Sequence, residues 1–200
     1  MKDKVKKDYE EGEYEEEYRK NREFREFEKG LFQKLFERIP EGASILDLGC
    51  GTGVPFDRFL SNQGYEVMGA DFVEKHIKQA RKNVPEVEFK RVDFSEVEFV
   101  ENSFDAIVSL YAIFHIPREE HAGLFMKMNK WLKDSGIVLI TLGTEEMEEE
   151  EAGFVGSEMV WSSFSIEKNK RMVQETGFEI LEAYEEKEDE HHLWVLAKKK

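Results

Sequence analysis

Residues 45–55, ILDLGCGTGVP, place three glycines at alternate positions directly after a short apolar run that holds one acid, Asp47. A chain gives up side chains this densely where its backbone must turn sharply or be approached closely. The β-type run before the glycines and the helical pattern after them define a strand–loop–helix unit. Its loop presents unpaired N–H groups at the start of a helix. In an open parallel sheet such a loop flanks the point where strand order reverses, which is where ligands bind.

The flanking sequence supplies that sheet. Strands are expected near 44–48, 66–71, 87–93, 104–110 and 136–142, with helical patterns at 54–62, 73–83 and 117–132 between them. Pro117 suits the first turn of the last helix, where its missing N–H leaves nothing unpaired. Strands alternating with helices pair in parallel through right-handed crossovers, which gives a doubly wound, Rossmann-like α/β sheet. A helix over 165–176, closed by Gly177, precedes strands at 178–187 and 191–199. Their short polar link, Glu188-Asp189-Glu190, forces an antiparallel pair and completes seven strands.

The chain reads as one domain over 1–200. Phe24, Phe27, Leu31, Phe32, Leu35, Phe36 and Ile39 recur at helical spacing, so an N-terminal helix is expected over 23–39, ended by Pro40-Glu41-Gly42. Ahead of it, residues 1–22 are charge-dense and are expected to form a flexible, solvated arm. Residues 144–164, TEEMEEEEAGFVGSEMVWSSF, match no element and are expected to be a lid-like insertion.

Charge and composition narrow the function. A net charge of −15 repels nucleic acid and anionic membrane, so neither is expected as a partner. No apolar stretch approaches the roughly 20 residues of a membrane span, and the N-terminus is not patterned as a secretory leader. The single cysteine, Cys50, excludes an internal disulfide and suits a cytoplasmic location. No metal is expected: His191 and His192 point to opposite faces of a strand, and no other His/Cys cluster has ligand spacing. No sequence pattern speaks to oligomeric state.

Two nucleotide-type ligands use such a glycine loop. The dinucleotide fingerprint G-x-G-x-x-G needs glycine where Val54 stands. Asp47 would repel a pyrophosphate and attract a sulfonium or ammonium centre. A cationic adenosine ligand is therefore favoured over NAD(P). Asp71 follows Gly53 by 18 residues, close to the roughly 20 expected for a ribose acceptor.

The motifs as a set resemble, in order, those of the class I S-adenosylmethionine (SAM) dependent methyltransferases. ILDLGCGTGVP resembles the first motif, YEVMGADFVEKHIKQAR the second, VEFKRVDFSEVEF the third, and FDAIVSLYAIFHIP the fourth; WLKDSGIVLIT resembles the stretch ahead of strand five. Departures are Ser135 at a common glycine, Val73 and His76 in place of Ser and Met, and SLYA where nucleic-acid amino-methyltransferases carry N/D-P-P-Y/F. The resemblance implies cofactor contacts from Asp47, Gly49, Cys50, Gly51 and Gly53. It implies that Asp71 accepts both ribose hydroxyls, with Phe72 and His76 beside it. Asp93 would meet the adenine amino group, Phe94 its face, and Ser109 and Leu110 the methionine end.

The same resemblance implies a small free-standing enzyme that moves a methyl group from SAM to an unidentified small-molecule acceptor, leaving S-adenosylhomocysteine (SAH). The alternative is a SAM/SAH-binding module or a protein-directed methyltransferase. His115, five residues past the expected strand four, and Tyr111 are the catalytic candidates. Tyr18, Tyr111, His115, Met159 and Trp161 are the acceptor-binding candidates. Tyr9, Tyr14 and Tyr18 supply the arm tyrosine that enzymes of this type fold over the cofactor.

Overall fold

The computed structural model describes residues 1–11, 24–154, 157–187 and 191–200. Its centre is a seven-stranded sheet built from β1 (Ser44–Leu48), β2 (Glu66–Asp71), β3 (Glu88–Arg91), β4 (Phe104–Ser109), β5 (Leu132–Leu142), β8 (Phe178–Glu185) and β9 (Leu193–Lys199), in the order β3-β2-β1-β4-β5-β9-β8. β1 to β5 run parallel, and β9 lies antiparallel between β5 and β8. This is the mostly parallel sheet with a closing antiparallel hairpin that the sequence implies.

Helices cover both faces, so the inner strands bury side chains on both sides and read as continuous apolar runs. On one face α5 (Arg118–Trp131) lays Leu124, Phe125, Met128 and Trp131 onto Leu46, Leu48, Ile107 and Val138, joined by Met172 and Val173 of α6 (Ile166–Glu175). The other face takes Leu31, Phe32 and Leu35 of α2 (Glu26–Phe36), Leu60 of α3 (Phe56–Asn62), and Ile77 and Ala80 of α4 (Glu74–Asn83). α2 starts where the Glu28 carboxylate turns back to accept the Arg25 backbone N–H at 2.9 Å, which satisfies a donor at the open helix end. β5 begins four residues before the expected 136, because α5 ends at Trp131 and passes directly into it at Leu132; Ser135, inside the strand, has a φ of +65°.

Two expectations need correction. Residues 2–11 do not form a solvated coil: they make the helix α1 (Lys2–Glu11), with Val5 and Tyr9 buried. These two side chains stand one turn apart, so a single small apolar spot is enough to dock the helix. The 144–164 segment is also regular. It forms an antiparallel pair of β6 (Met147–Phe154) and β7 (Ser157–Ser163), in which Glu148 stands opposite Ser162 and Glu151 opposite Met159. The two elements complete each other: Val5 and Tyr9 pack with Val73, Met159 and Val160 in a third apolar cluster. Tyr14 and Tyr18 lie outside the described residues.

Gly69 in β2 is required by contact. A Cβ there would stand 2.5 and 2.6 Å from ring carbons of Phe89 and 2.9 Å from Cys50 Sγ. Gly69→Ala is expected to cost about 1–3 kcal/mol through overpacking. Urea unfolding should show a lower midpoint at unchanged slope; an unchanged midpoint would mean the Phe89 ring has room to move.

Candidate active site

The strand order reverses beside β1, so the loops after β1 and β4 face each other across the carboxyl edge of the sheet. Gly49, Gly51 and Gly53 take φ of +81°, +55° and +74°, the left-handed region that L side chains rarely occupy. They do different work. A Cβ on Gly49 would fall 2.3 Å from Ala112 Cβ in the loop after β4. On Gly53 it would meet Phe89 and Val84 at 3.0 and 3.2 Å, so Gly53 seats the loop on β3 and α4 rather than opening it to a ligand. Gly51 donates its N–H to Asp71 Oδ2 at 3.0 Å.

Asp71 ends β2 buried at the cleft. Its Oδ1 accepts the Val73 N–H at 2.8 Å, and His76 Nδ1 stands 3.5 Å away. Burial pushes its pKa up, but His76 and the two backbone donors outweigh burial and hold the carboxyl below its usual 3.8. Each oxygen of an ionised carboxylate accepts more than one hydrogen bond, so Asp71 keeps acceptor capacity for a pair of hydroxyls.

The lining of the cleft joins Gly49, Gly51, Asp71, Phe72 and His76 to Asp93, Phe94, Tyr111, Ala112, His115 and Ile116, with Lys2 and Tyr9 contributed by α1. Asp93 has two tasks: Oδ1 holds the Ser95 N–H at 2.9 Å and its hydroxyl at 2.7 Å, and Oδ2 stands 3.5 Å from Lys2 Nζ. Lys2 also reaches Glu120 at 3.1 Å and Glu96 at 3.3 Å, which ties α1 to the loop after β3 and to α5.

His115, in the single 3₁₀ turn 113–115, is buried. Its Nδ1 stands 3.3 Å from the Val160 carbonyl oxygen and its Nε2 3.0 Å from the Tyr9 hydroxyl. A carbonyl can only accept, so Nδ1 carries the proton, and neutral Nε2 accepts the Tyr9 O–H. Tyr111 adopts φ +59°, an uncommon backbone state for a bulky residue. Its N–H is held by Thr141 Oγ1, and its hydroxyl donates to the buried Glu28 carboxylate at 2.9 Å while accepting from Arg25.

Several anticipated site residues lie elsewhere. Ser109 Oγ donates to the Leu48 carbonyl at 2.8 Å, a bond between neighbouring strands, and Leu110 is core. Cys50 points into that same core beside Gly69, where burial pushes its thiol pKa up. Asp47 is buried behind the loop and does not line the cleft. Met159 backs α1, and Trp161 stands behind His115 with ring centroids 6.2 Å apart. Tyr9 is an arm tyrosine brought to the cleft, and Tyr18 lies outside the described residues. Lys2, Ala112, Ile116, Arg25, Glu28 and His192 were not anticipated. The one available signal was the Arg25/Glu28 pair, three residues apart at a helix start.

His192 stacks on Phe114 (centroids 4.9 Å apart, 22° between planes) and meets Tyr111 edge-on at 5.2 Å. Burial lowers its pKa from 6.5 to about 4; Glu186 opposes the shift, while Arg25, His115 and His191 add to it. A histidine depressed on folding binds fewer protons native than unfolded, so its contribution is full above pH 6.5 and is lost as pH falls toward 4. Wild type should lose up to about 3 kcal/mol more unfolding free energy across that window than His192→Phe. Urea titrations of both proteins at pH 7 and pH 4.5 measure the difference; parallel losses would refute the assignment.

A bare-backbone loop, an acid at the tip of the second strand and a cleft at the switch point are where an open α/β sheet offers a ligand site. Comparison with known proteins narrows this. A family model described as a methyltransferase domain matches residues 45–136. The chain is 35% identical over 106 residues to a phosphoethanolamine N-methyltransferase of Plasmodium falciparum, covering 52% of this chain and 40% of that protein. It is 29% identical over 163 residues to a sterol 24-C-methyltransferase of Kluyveromyces lactis, covering 72% and 42%. The chain thus spans less than half the length of these relatives. Among solved structures it is similar to the PH0226 protein of Pyrococcus horikoshii (TM-score 0.74, 19% identity, covering 94% of this chain and 99% of that one). It is also similar to a SAM-dependent methyltransferase from Listeria monocytogenes, itself described as putative (TM-score 0.71, 17% identity, covering 86% and 97%). Residues 45–136 match the methyltransferase-domain model, and the chain shares the α/β fold of these solved structures.

Proposed function

We propose that the protein is a SAM-dependent methyltransferase acting on a small-molecule acceptor in the cytoplasm. The observation that carries this is the union, in one cleft, of a nucleoside-type cradle (Gly49, Gly51, Asp71, Phe94) with a hydrogen-bonded Tyr9–His115 pair. The cradle suits SAM: Asp71 has acceptor capacity for two ribose hydroxyls, Phe72, His76 and Phe94 offer flat faces to an adenine, and the lining carboxylates favour a cation. Bound there, SAM supplies an already activated methyl group. What remains for the protein is to align the acceptor, exclude water and take up a proton where the acceptor carries one.

The chain's own groups support each task. α1 and β7 cover the cleft beside His115, which excludes water and favours a small acceptor over a protein segment. The Val160 carbonyl fixes the His115 tautomer, leaving Nε2 basic and directed at Tyr9. Tyr111, tied to Glu28, borders the same end. Among the relatives, one name specifies phosphoethanolamine and another a sterol, which supports small-molecule acceptors without selecting one. No helix among the described residues is long and apolar enough to cross a membrane.

Incubation with methyl-labelled SAM and a metabolite extract should move label into the small-molecule fraction. His115→Ala should lower that transfer by about 10²–10⁴-fold, the usual contribution of a positioned acid–base group, with SAH affinity changed only severalfold. Calorimetry that shows SAH binding without any label transfer would favour the binding module instead.

A further inference from the structure

We infer that the acceptor is an amine, held and methylated beside aromatic rings in a cleft whose described lining is acidic rather than basic. This deepens the proposed methyl-transfer reading and rests on it.

The charge of the cleft is one-sided. Lys2 is the only lysine or arginine among its described lining residues, and Asp93, Glu96 and Glu120 already surround its ammonium. Asp71 and Asp93 line the cleft, while Asp47 and Asp57 lie buried close enough to raise the Cys50 thiol pKa. The Arg25 guanidinium, 5.9 Å from the Tyr111 ring, is engaged by Glu28 at 3.1 Å. Among the described lining residues, a phosphate or carboxylate on the acceptor would meet this negative field with only the already paired Lys2 to receive it. An ammonium would meet the field its charge requires.

The surfaces at the Tyr9 end agree. Tyr9 and His115 stand perpendicular (89°) with centroids 5.5 Å apart, and Tyr9 meets His76 at 5.1 Å and 67°. Tyr9, Tyr111 and His115 all line the cleft, and an aromatic face turned to it attracts an onium group through cation–π attraction. Tyr111 adds a phenol that donates its proton to a carboxylate, which enriches its ring in electron density. The guanidinium 5.9 Å from that ring is the one neutralised by Glu28.

The reaction balances on these groups. The bound ammonium first gives a proton to the Tyr9 hydroxyl, which passes its own to Nε2 of His115. The lone pair so freed forms the new N–C bond, and the electron pair of the broken C–S bond stays on sulfur. The product carries a further methyl on a nitrogen that the rings accommodate when protonated or quaternary.

Calorimetry on SAH-saturated protein tests this with three probes: choline, its uncharged carbon isostere 3,3-dimethylbutan-1-ol, and phosphocholine. Choline should bind at least tenfold more tightly than the isostere, and phosphocholine more weakly than choline. Tyr9→Leu should abolish the preference for charge, and Tyr9→Phe, which keeps the ring, should retain it. Equal binding of choline and its isostere, no heat with choline, or tightest binding of phosphocholine would overturn the inference while SAH binding stands. Failure of SAH itself to bind, measured first in a separate titration, would overturn the methyltransferase reading and this inference together.

Discussion

The approach of Ala112 to Gly49 is the contact on which the site depends. It leaves no volume for a side chain at residue 49, so the loops after β1 and β4 close against each other at the place where strand order reverses. Everything polar in the cleft is arranged around that closure. On the β1 and β2 side, Gly51 turns its N–H to Asp71; on the β4 side, Tyr111 takes a left-handed backbone that sends the chain into the turn bearing His115. Strain at Tyr111 of order 1–3 kcal/mol persists only because the residue is held at both ends, by Thr141 at its N–H and by Glu28 and Arg25 at its hydroxyl.

Burying carboxylates is costly unless each is paired or hydrogen-bonded, and Asp71 and Glu28 meet that cost in different ways. Asp71 uses two backbone donors and His76, which keep it ionised without consuming all of its acceptor capacity. Glu28, fully buried, takes the Arg25 backbone, the Arg25 guanidinium and the Tyr111 hydroxyl, and so becomes a rigid post. The first arrangement suits a group that must bind something else. The second suits a group whose work is to hold a neighbour.

The sheet was legible in the sequence because its signals are local. β1, β2 and β4 are apolar runs bounded by turns, and the core stripes of α2 and α5 repeat at helical spacing. Half of the cleft was legible for the same reason: Gly49, Gly51, Asp71, Asp93 and Phe94 sit at strand ends in fixed order. Less legible is whatever a side chain's direction or a distant partner decides. Ser109 and Leu110 end the correct strand but face the neighbouring strand and the core. Cys50 occupies the correct loop but turns toward Phe89. α1 carries only Val5 and Tyr9 as buried contacts among many charges, so periodicity alone could not separate it from a solvated arm. Its reason to be helical lies about 150 residues away, in Met159 and Val160.

The cover of the cleft is thus its least anchored part. α5 is fixed by four large buried side chains, whereas α1 has two, each worth about 1.5–3 kcal/mol, supplemented by the Lys2 ion pairs and the Tyr9–His115 bond. Two of those attachments, Lys2–Asp93 and Tyr9–His115, are made to residues that line the cleft itself. Any ligand that engages Asp93 or His115 therefore competes with, or reinforces, the contacts that hold α1 in place. Local stability is lowest in elements with few buried apolar contacts, and ligand-gated segments are drawn from that end of the range. In this chain the weakly held helix and the proposed acid–base pair share one hydrogen bond, so closing the cleft and setting the His115 tautomer are a single structural event.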